Sequence, residues 1–308
     1  MKSVENYIVF CVENGLLEQQ GILLAHSINR YLYPQYKAIA FSPRSGHFMS
    51  DETALVLDSL NVIVRKEHLN ERFNHYPIAN KLLVMSHLEK QLNCDGLMFL
   101  DTDTLVTNNF HIPNDKQLLL RPVDNKGPGT TGDTDENDVF WQDVFDLFEL
   151  PIAAPTVITT VDQTLIRGYF NAGLVWTSGL TNFYQQWEQD FLKLVDSGLR
   201  PQKYQSKDGN DFRCLDQVAL AVTAVRYQQH LNLLPETYNY PLPFKPRLQA
   251  RTGHPTLNEL THIHYHKWFQ HPDFLDHITS EQEKQSEQYQ WLKSQLPLQP
   301  EISGPFKC

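Results

Sequence analysis

The chain is poor in cysteine, in basic charge and in long apolar runs, and each shortage excludes something. Its four cysteines, Cys11, Cys94, Cys214 and Cys308, form no CxxC pair. A disulfide framework is therefore not read, and reduced thiols of a cytoplasmic protein are expected. Acidic residues number 36 against 26 basic ones, a formal net charge of −10, which repels a polyphosphate backbone and excludes nucleic acid as a partner. A small phosphate ligand would need a local cation or a metal. The longest apolar-rich run, Val218 to Val225, is too short to span a bilayer. The opening Met1-Lys2-Ser3-Val4-Glu5-Asn6-Tyr7 has no apolar stretch of signal-peptide length, so neither a leader nor a transmembrane segment is expected. No internal repeat is found.

What is present describes a folded chain. Of 308 residues, 41% are hydrophobic and 20% charged, enough for one large α/β domain or two modest ones. Strand-like runs at Tyr7–Val12, Tyr36–Phe41, Asn61–Val64, Leu97–Leu100 and Gln117–Leu120 alternate with helical stretches at Leu16–Tyr33, Asp51–Ser59 and about Leu82–Leu92. That alternation predicts a parallel sheet with helices on both faces. The pattern then breaks: Asp124 to Asp138 is rich in Gly, Asp, Thr and Asn and reads as a long loop, and Pro151 to Thr160 reads as irregular. Order returns with a strand at Tyr169–Trp176, a helix carrying Phe183, Trp187, Phe191 and Leu194 on one side, a helix at Leu215–Tyr227 and a short strand at Leu231–Leu234.

Four segments carry candidate chemistry. Asp101-Thr102-Asp103 closes the apolar strand Leu97–Leu100. Residues i and i+2 of an extended segment point the same way, and open parallel sheets bind ligands at the carboxyl ends of their strands. Asp101 and Asp103 are thus placed to hold Mg²⁺ or Mn²⁺, which carboxylate oxygens suit; the bland alternative is a solvated pair in a turn. The run His262-Ile263-His264-Tyr265-His266-Lys267-Trp268 offers imidazoles to a metal and a lysine to a diphosphate. Its three alternating histidines would equally build a zinc site. In Phe170-Asn171-Ala172-Gly173 the small residues let a ligand approach the backbone, and the Asn171 amide can both donate to and accept from sugar hydroxyls. Asp216-Gln217 opens a helix; Asp216 either stabilises the helix start or, with Gln217, presents polar groups to a sugar. A fifth run, Asp133-Thr134-Asp135-Glu136-Asn137, starts like a calcium-binding loop but has Asp138 where Gly is required and Val144 where Glu is required. It reads as a polar surface loop, a candidate lid.

In this order the segments resemble retaining GT-A glycosyltransferases of the glycogenin and lipopolysaccharide galactosyltransferase type (glycosyltransferase family 8). That type has a strand ending in Asp-x-Asp, then Phe-Asn-(Ala/Ser)-Gly, then Asp-Gln, then a late His followed by Lys-Pro-Trp. Here these stand as Asp101-Thr102-Asp103, Phe170-Asn171-Ala172-Gly173, Asp216-Gln217, and His264 with Lys267-Trp268. The last motif is shortened, with His266 in it and no Gly or Pro before Trp268, so the choice among His262, His264 and His266 as ligand stays open. The strand ending at Val12, with Glu13 and Asn14, resembles the opening where the nucleotide base sits. Lys81 resembles the basic residue near the donor.

The resemblance implies a Rossmann-like, mostly parallel sheet and a GT-A domain over residues 1–270. It leaves 124–165 as a variable acceptor-side insert or lid and 271–308 as a C-terminal helical extension. By it, Asp101, Asp103 and His264 would bind Mn²⁺ or Mg²⁺. Lys267 would hold the diphosphate of a nucleotide-sugar donor, a UDP-sugar being expected, and Thr102, Asn171, Ala172, Gly173, Asp216 and Gln217 would surround the transferred sugar. The acceptor is a carbohydrate, a lipid-linked sugar or a protein, and oligomeric state is left open. Two rivals are carried: a zinc hydrolase built on His262, His264 and His266, and a non-catalytic nucleotide-sugar-binding module. A sugar nucleotidyltransferase ranks well below the glycosyltransferase, because Glu13-Asn14-Gly15-Leu16 has one glycine where a glycine-rich phosphate loop is expected.

Overall fold

Runs of apolar residues long enough to be buried on both faces build the centre of the protein. In the computed structural model, which describes residues 5–111, 115–204, 211–248, 251 and 255–302, the strands are β1 (Asn6–Cys11), β2 (Lys37–Ser42), β3 (Val62–Lys66), β4 (Gly96–Leu100), β5 (Thr104–Val106), β6 (Gln117–Pro122), β7 (Val157–Ile158), β8 (Leu165–Ile166), β9 (Phe170–Ser178), β10 (Leu231–Leu233), β11 (Tyr240–Pro241) and β12 (His262–His264). The helices are α1 (Leu16–Tyr31), α2 (Asp51–Ser59), α3 (Asn80–Gln91), α4 (Asp138–Leu147), α5 (Phe183–Ser197), α6 (Leu215–Arg226), α7 (Lys245–Leu248), α8 (Phe274–Ile278) and α9 (Glu287–Gln295). Among the described residues, no helix is long and apolar enough to cross a membrane. Cys11, Cys94 and Cys214 are free thiols; Cys308 lies outside the described residues.

Seven strands form the main sheet in the order β10-β6-β9-β4-β1-β2-β3. The pairs β1–β2, β1–β4, β2–β3 and β6–β10 are parallel, so the sheet is mostly parallel as expected. Side chains of β1 alternate between two cores: Tyr7 and Val9 pack with α3, α5 and α6 on one face, Ile8 and Phe10 with α1 and α2 on the other. This is the α/β architecture of the GT-A fold.

Three features of the fold create the site. First, β9 runs antiparallel to both β4 and β6, and all nine of its residues are buried. Running backwards, it starts where β4 ends: Leu174 faces Leu100, and the Asp101 amide donates to the Gly173 carbonyl at 2.9 Å. Second, β12 pairs antiparallel with β5, with His264 opposite Thr104. Third, the residues after 270 share a core with this small sheet, Leu105, Ile263 and Tyr265 packing with Phe274, Ile278 and Leu292.

The stretch after β6 is the expected loop as far as Asn137, with its acidic side chains held in place. Asp135 accepts hydrogen bonds from the Lys126 ammonium at 2.8 Å and from the Thr131 and Asn137 amides at 3.0 Å each. Arg167 donates to Asp138 at 2.9 Å and to Asp133 at 2.8 Å. The acidic run is thus tied down by the protein's own cations. It leads into α4, which the sequence reading passed over, and Phe140, Trp141, Val144 and Phe145 of α4 are buried. The stretch read as irregular contributes one strand of the β7–β8 hairpin, with Val157 opposite Ile166.

Candidate functional site

At the carboxyl end of β4 the chain leaves the sheet and turns at once. The Thr104 amide and hydroxyl both donate to the Asp101 carbonyl, at 3.2 and 2.6 Å. The segment from Asp101 to Asp103 is therefore a turn, and the expectation that an extended backbone aims both carboxylates the same way is corrected. Both side chains still line one cavity of about 530 Å³, but they face different partners within it.

Asp101 faces Lys81. This lysine comes from the first turn of α3 and is buried, with its ammonium 2.9 Å from Asp101, 3.6 Å from Asp216 and 3.3 Å from the Ala172 carbonyl oxygen. Burial alone would depress its pKa, but the carboxylates of Asp101 and Asp216 override that and hold it above the ordinary lysine value. Asp216, at the start of α6, is pushed up by its own burial and by the nearby Asp101, against the pull of Lys81. Gln217 follows it and is half-buried on the cavity wall.

Asp103 faces two imidazoles. His264 Nε2 lies 3.2 Å from Asp103 Oδ1, and His266 Nδ1 lies 3.6 Å from Oδ2. Burial works against charge on this pair, yet the attraction wins. Asp103 is held well below the usual carboxylate range by His264 and His266, and His264 is raised above the usual imidazole value by Asp103. One ligand atom from each of Asp103, His264 and His266 lies within 4.8 Å of the others. His262 is apart from them: its Nδ1 accepts from the Asn239 amide at 3.2 Å, and burial, reinforced by His264, pushes its pKa down to about 3. Only His262 and His264 lie in β12, because the chain turns at His266 with φ 55°. The three histidines therefore do not form one strand face, contrary to the zinc-site reading.

The Asn171-Ala172-Gly173 motif supports the site from behind. Asn171 is buried and accepts from the Gly173 amide at 2.8 Å, while Ala172 offers its carbonyl to Lys81. A Cβ at Gly173 would stand 3.0 Å from both His264 Cε1 and Asn171 Oδ1. The close approach that requires glycine here is that of the histidine. Thr102 lines the cavity and takes the Tyr265 hydroxyl on its carbonyl at 3.3 Å.

Other expected residues lie off the cavity wall. Val12 is fully buried in the core. The Glu13 carboxylate is buried too, accepting from Arg44 Nε at 2.7 Å and Asn80 Nδ2 at 2.9 Å. Asn14 is exposed, its amide donating to the His47 carbonyl. Lys267 is exposed, with its ammonium 5.9 Å above the Trp268 ring. In their place Cys11, Asn80, Tyr204, Arg213 and Cys214 line the cavity. The Arg213 guanidinium sits 4.9 Å over the Tyr204 ring. Cys214 was within reach of sequence reasoning, since it stands two residues before Asp216. Tyr204 and Arg213 carried no signal of their own.

The Rhodobacterales glycosyltransferase domain matches the chain over residues 8–228. No curated protein sequence matches it. Among solved structures, an active-site mutant of LgtC is similar at 14% identity, with 96% of this chain and 98% of that chain covered and a TM-score of 0.51. The apo form of the glycosyltransferase GlyE from Streptococcus pneumoniae TIGR4 is similar at 11% identity and a TM-score of 0.50. That match takes in 95% of this chain and 60% of GlyE, so this chain spans little more than half of GlyE. At these identities the likeness is one of fold.

Proposed function

The chain belongs to the Rhodobacterales glycosyltransferase domain family, and on that premise we propose that it transfers a hexose from a nucleoside diphosphate sugar, a UDP-sugar, to an acceptor hydroxyl in a metal-dependent reaction. One observation carries the reading. Asp101, Asp103, Asp216, Gln217 and His264, drawn from distant parts of the sequence, line a single cavity at the carboxyl end of the sheet.

The donor set fits a divalent cation, with carboxylate oxygen and imidazole nitrogen crowded within 4.8 Å at the cavity wall. Asp103 and His264 would hold Mn²⁺ or Mg²⁺, with Asp101 facing the same space. Such a cation supplies Lewis-acid neutralisation of the charge that develops on the departing diphosphate. The protein's own groups do the positioning. Lys81 fixes the Asp101 carboxylate and balances Asp216. Asp216 and Gln217, rigid at the start of α6, orient the sugar so that the acceptor hydroxyl reaches the anomeric carbon. Retention at that carbon is part of the proposal, as the resemblance to the glycogenin type implies. The acceptor is a carbohydrate, a lipid-linked sugar or a protein, and the free thiols support a cytoplasmic location.

The zinc-hydrolase rival is set aside on the family match and on the separate position of His262, whose Nδ1 is occupied by Asn239. The test is Asp103→Asn. Transfer from UDP-sugars should fall at least a hundredfold and lose its dependence on added Mn²⁺, with the circular dichroism spectrum unchanged. Wild-type transfer by that variant would refute the proposal.

A further inference from the structure

We propose that His266 is a second imidazole ligand of the cation site and sets its cation class, favouring Mn²⁺, Fe²⁺, Co²⁺ and Zn²⁺ over Mg²⁺. The inference rests on the proposed function, in which a cation sits at Asp103 and His264.

The turn after β12 gives His266 its position. Tyr265 goes into the core, its ring stacked on Phe269 at 3.9 Å. His266 then takes a left-handed backbone, φ 55°, a region uncommon for residues other than glycine. That turn folds its ring back onto His264, with centroids 4.0 Å apart. The Gln20 side chain of α1, on the cavity wall, donates to the His266 carbonyl at 3.4 Å and supports the turn. Each Asp103 oxygen thus faces a different imidazole nitrogen, at 3.2 and 3.6 Å. The longer distance is beyond a good hydrogen bond. Two nitrogens and one oxygen lie within 4.8 Å of one another, close to the roughly 3–4.4 Å that separates ligands of one ion on bonds of about 2.0–2.2 Å.

Two imidazoles and a carboxylate are the donors that iron, cobalt and zinc accept readily. Mg²⁺ keeps its waters and prefers oxygen. Every added imidazole therefore widens the gap between the two cation classes.

The test measures binding of MnCl₂ and MgCl₂ to chelator-stripped protein by isothermal titration calorimetry, without donor. It compares wild type with His266→Gly, a residue that accepts the left-handed backbone. The variant should lose about tenfold or more in Mn²⁺ affinity with Mg²⁺ affinity unchanged. Independently of any variant, pulsed electron paramagnetic resonance of Mn²⁺ bound to wild type should show two coupled imidazole nitrogens. A single nitrogen, or an unchanged Mn²⁺-to-Mg²⁺ ratio in the variant, overturns the role of His266 alone. Failure of wild type to bind either ion overturns the metal site as well.

Discussion

Replacing Lys81 by methionine gives the sharpest test of how the site is held together. The ammonium lies 2.9 Å from Asp101 and 3.6 Å from Asp216. With an effective dielectric constant of about 20, those attractions are about 6 and about 5 kcal/mol before desolvation is counted. Burying three charges takes most of that back, and removing one partner of a buried ionic cluster costs about 3–5 kcal/mol. For a chain of 308 residues the unfolding entropy is about 0.65 kcal/mol/K, so Tm should fall by about 5–8 °C at neutral pH. The pH dependence has a definite sign. Burial raises the pKa of Asp216 above its ordinary value of 3.8 in the folded protein, and loss of Lys81 raises it further. A group raised on folding favours the native state below its unfolded pKa and loses that contribution as pH rises through its folded pKa. The deficit of Lys81→Met should therefore be largest near pH 7 and shrink as pH falls toward 4. Adding Asp216→Asn should restore a substantial part of it at neutral pH. Scanning calorimetry of the two variants against wild type across that range is the assay. A Tm within 1 °C of wild type at pH 7, or a deficit that grows on acidification, would refute the reasoning.

Gly173→Ala presses a methyl group against His264 and Asn171; it should cost about 1–3 kcal/mol by overpacking and weaken Mn²⁺ binding, both read in a metal-dependent thermal shift. Glu283 is buried and accepts from Lys245 at 3.0 Å and from the Leu257 and Ser280 amides at 2.8 Å each. Burial opposes its charge, but those donors hold its pKa below 4.5. Its contribution is therefore present above pH 4.5 and is lost on acidification, and Glu283→Gln should lower stability by about 1–3 kcal/mol at pH 7, with the gap to wild type closing at low pH in urea titrations. Gln217→Ala should reduce transfer while leaving UDP binding by calorimetry close to wild type; an unchanged transfer rate would remove Gln217 from the site.

The alternation of strands and helices was legible because parallel strands buried on both faces need uninterrupted apolar runs, and helix α2 has the bounds the sequence reading gave it. The direction of β9 was not legible, since nine buried residues look the same read either way. Helix α4 was hidden by the turn-forming residues before it, although Phe140, Trp141, Val144 and Phe145 carry helical spacing. At the site, residue types were readable and orientations were not. Asp101 and Asp103 were found from a strand ending in two carboxylates, but the Thr104 hydroxyl that curls the segment acts through a single hydrogen bond to the Asp101 carbonyl. Lys267 matched a motif by position, and the left-handed residue before it turns it outward. Glu13 looked free to meet a ligand because Arg44 and Asn80, which occupy its carboxylate, are distant in the chain.

The antiparallel seam between β12 and β5 has a consequence for the timing of assembly. Thr104 and His264 meet only when most of the polypeptide has been made, and closing so long a loop is among the costlier entropic steps of folding. During synthesis the aspartates leave the ribosome well before the histidines do. A nascent chain thus cannot complete its imidazole–carboxylate cluster until its final strand is in place, and a fragment ending before β12 should be blind to manganese.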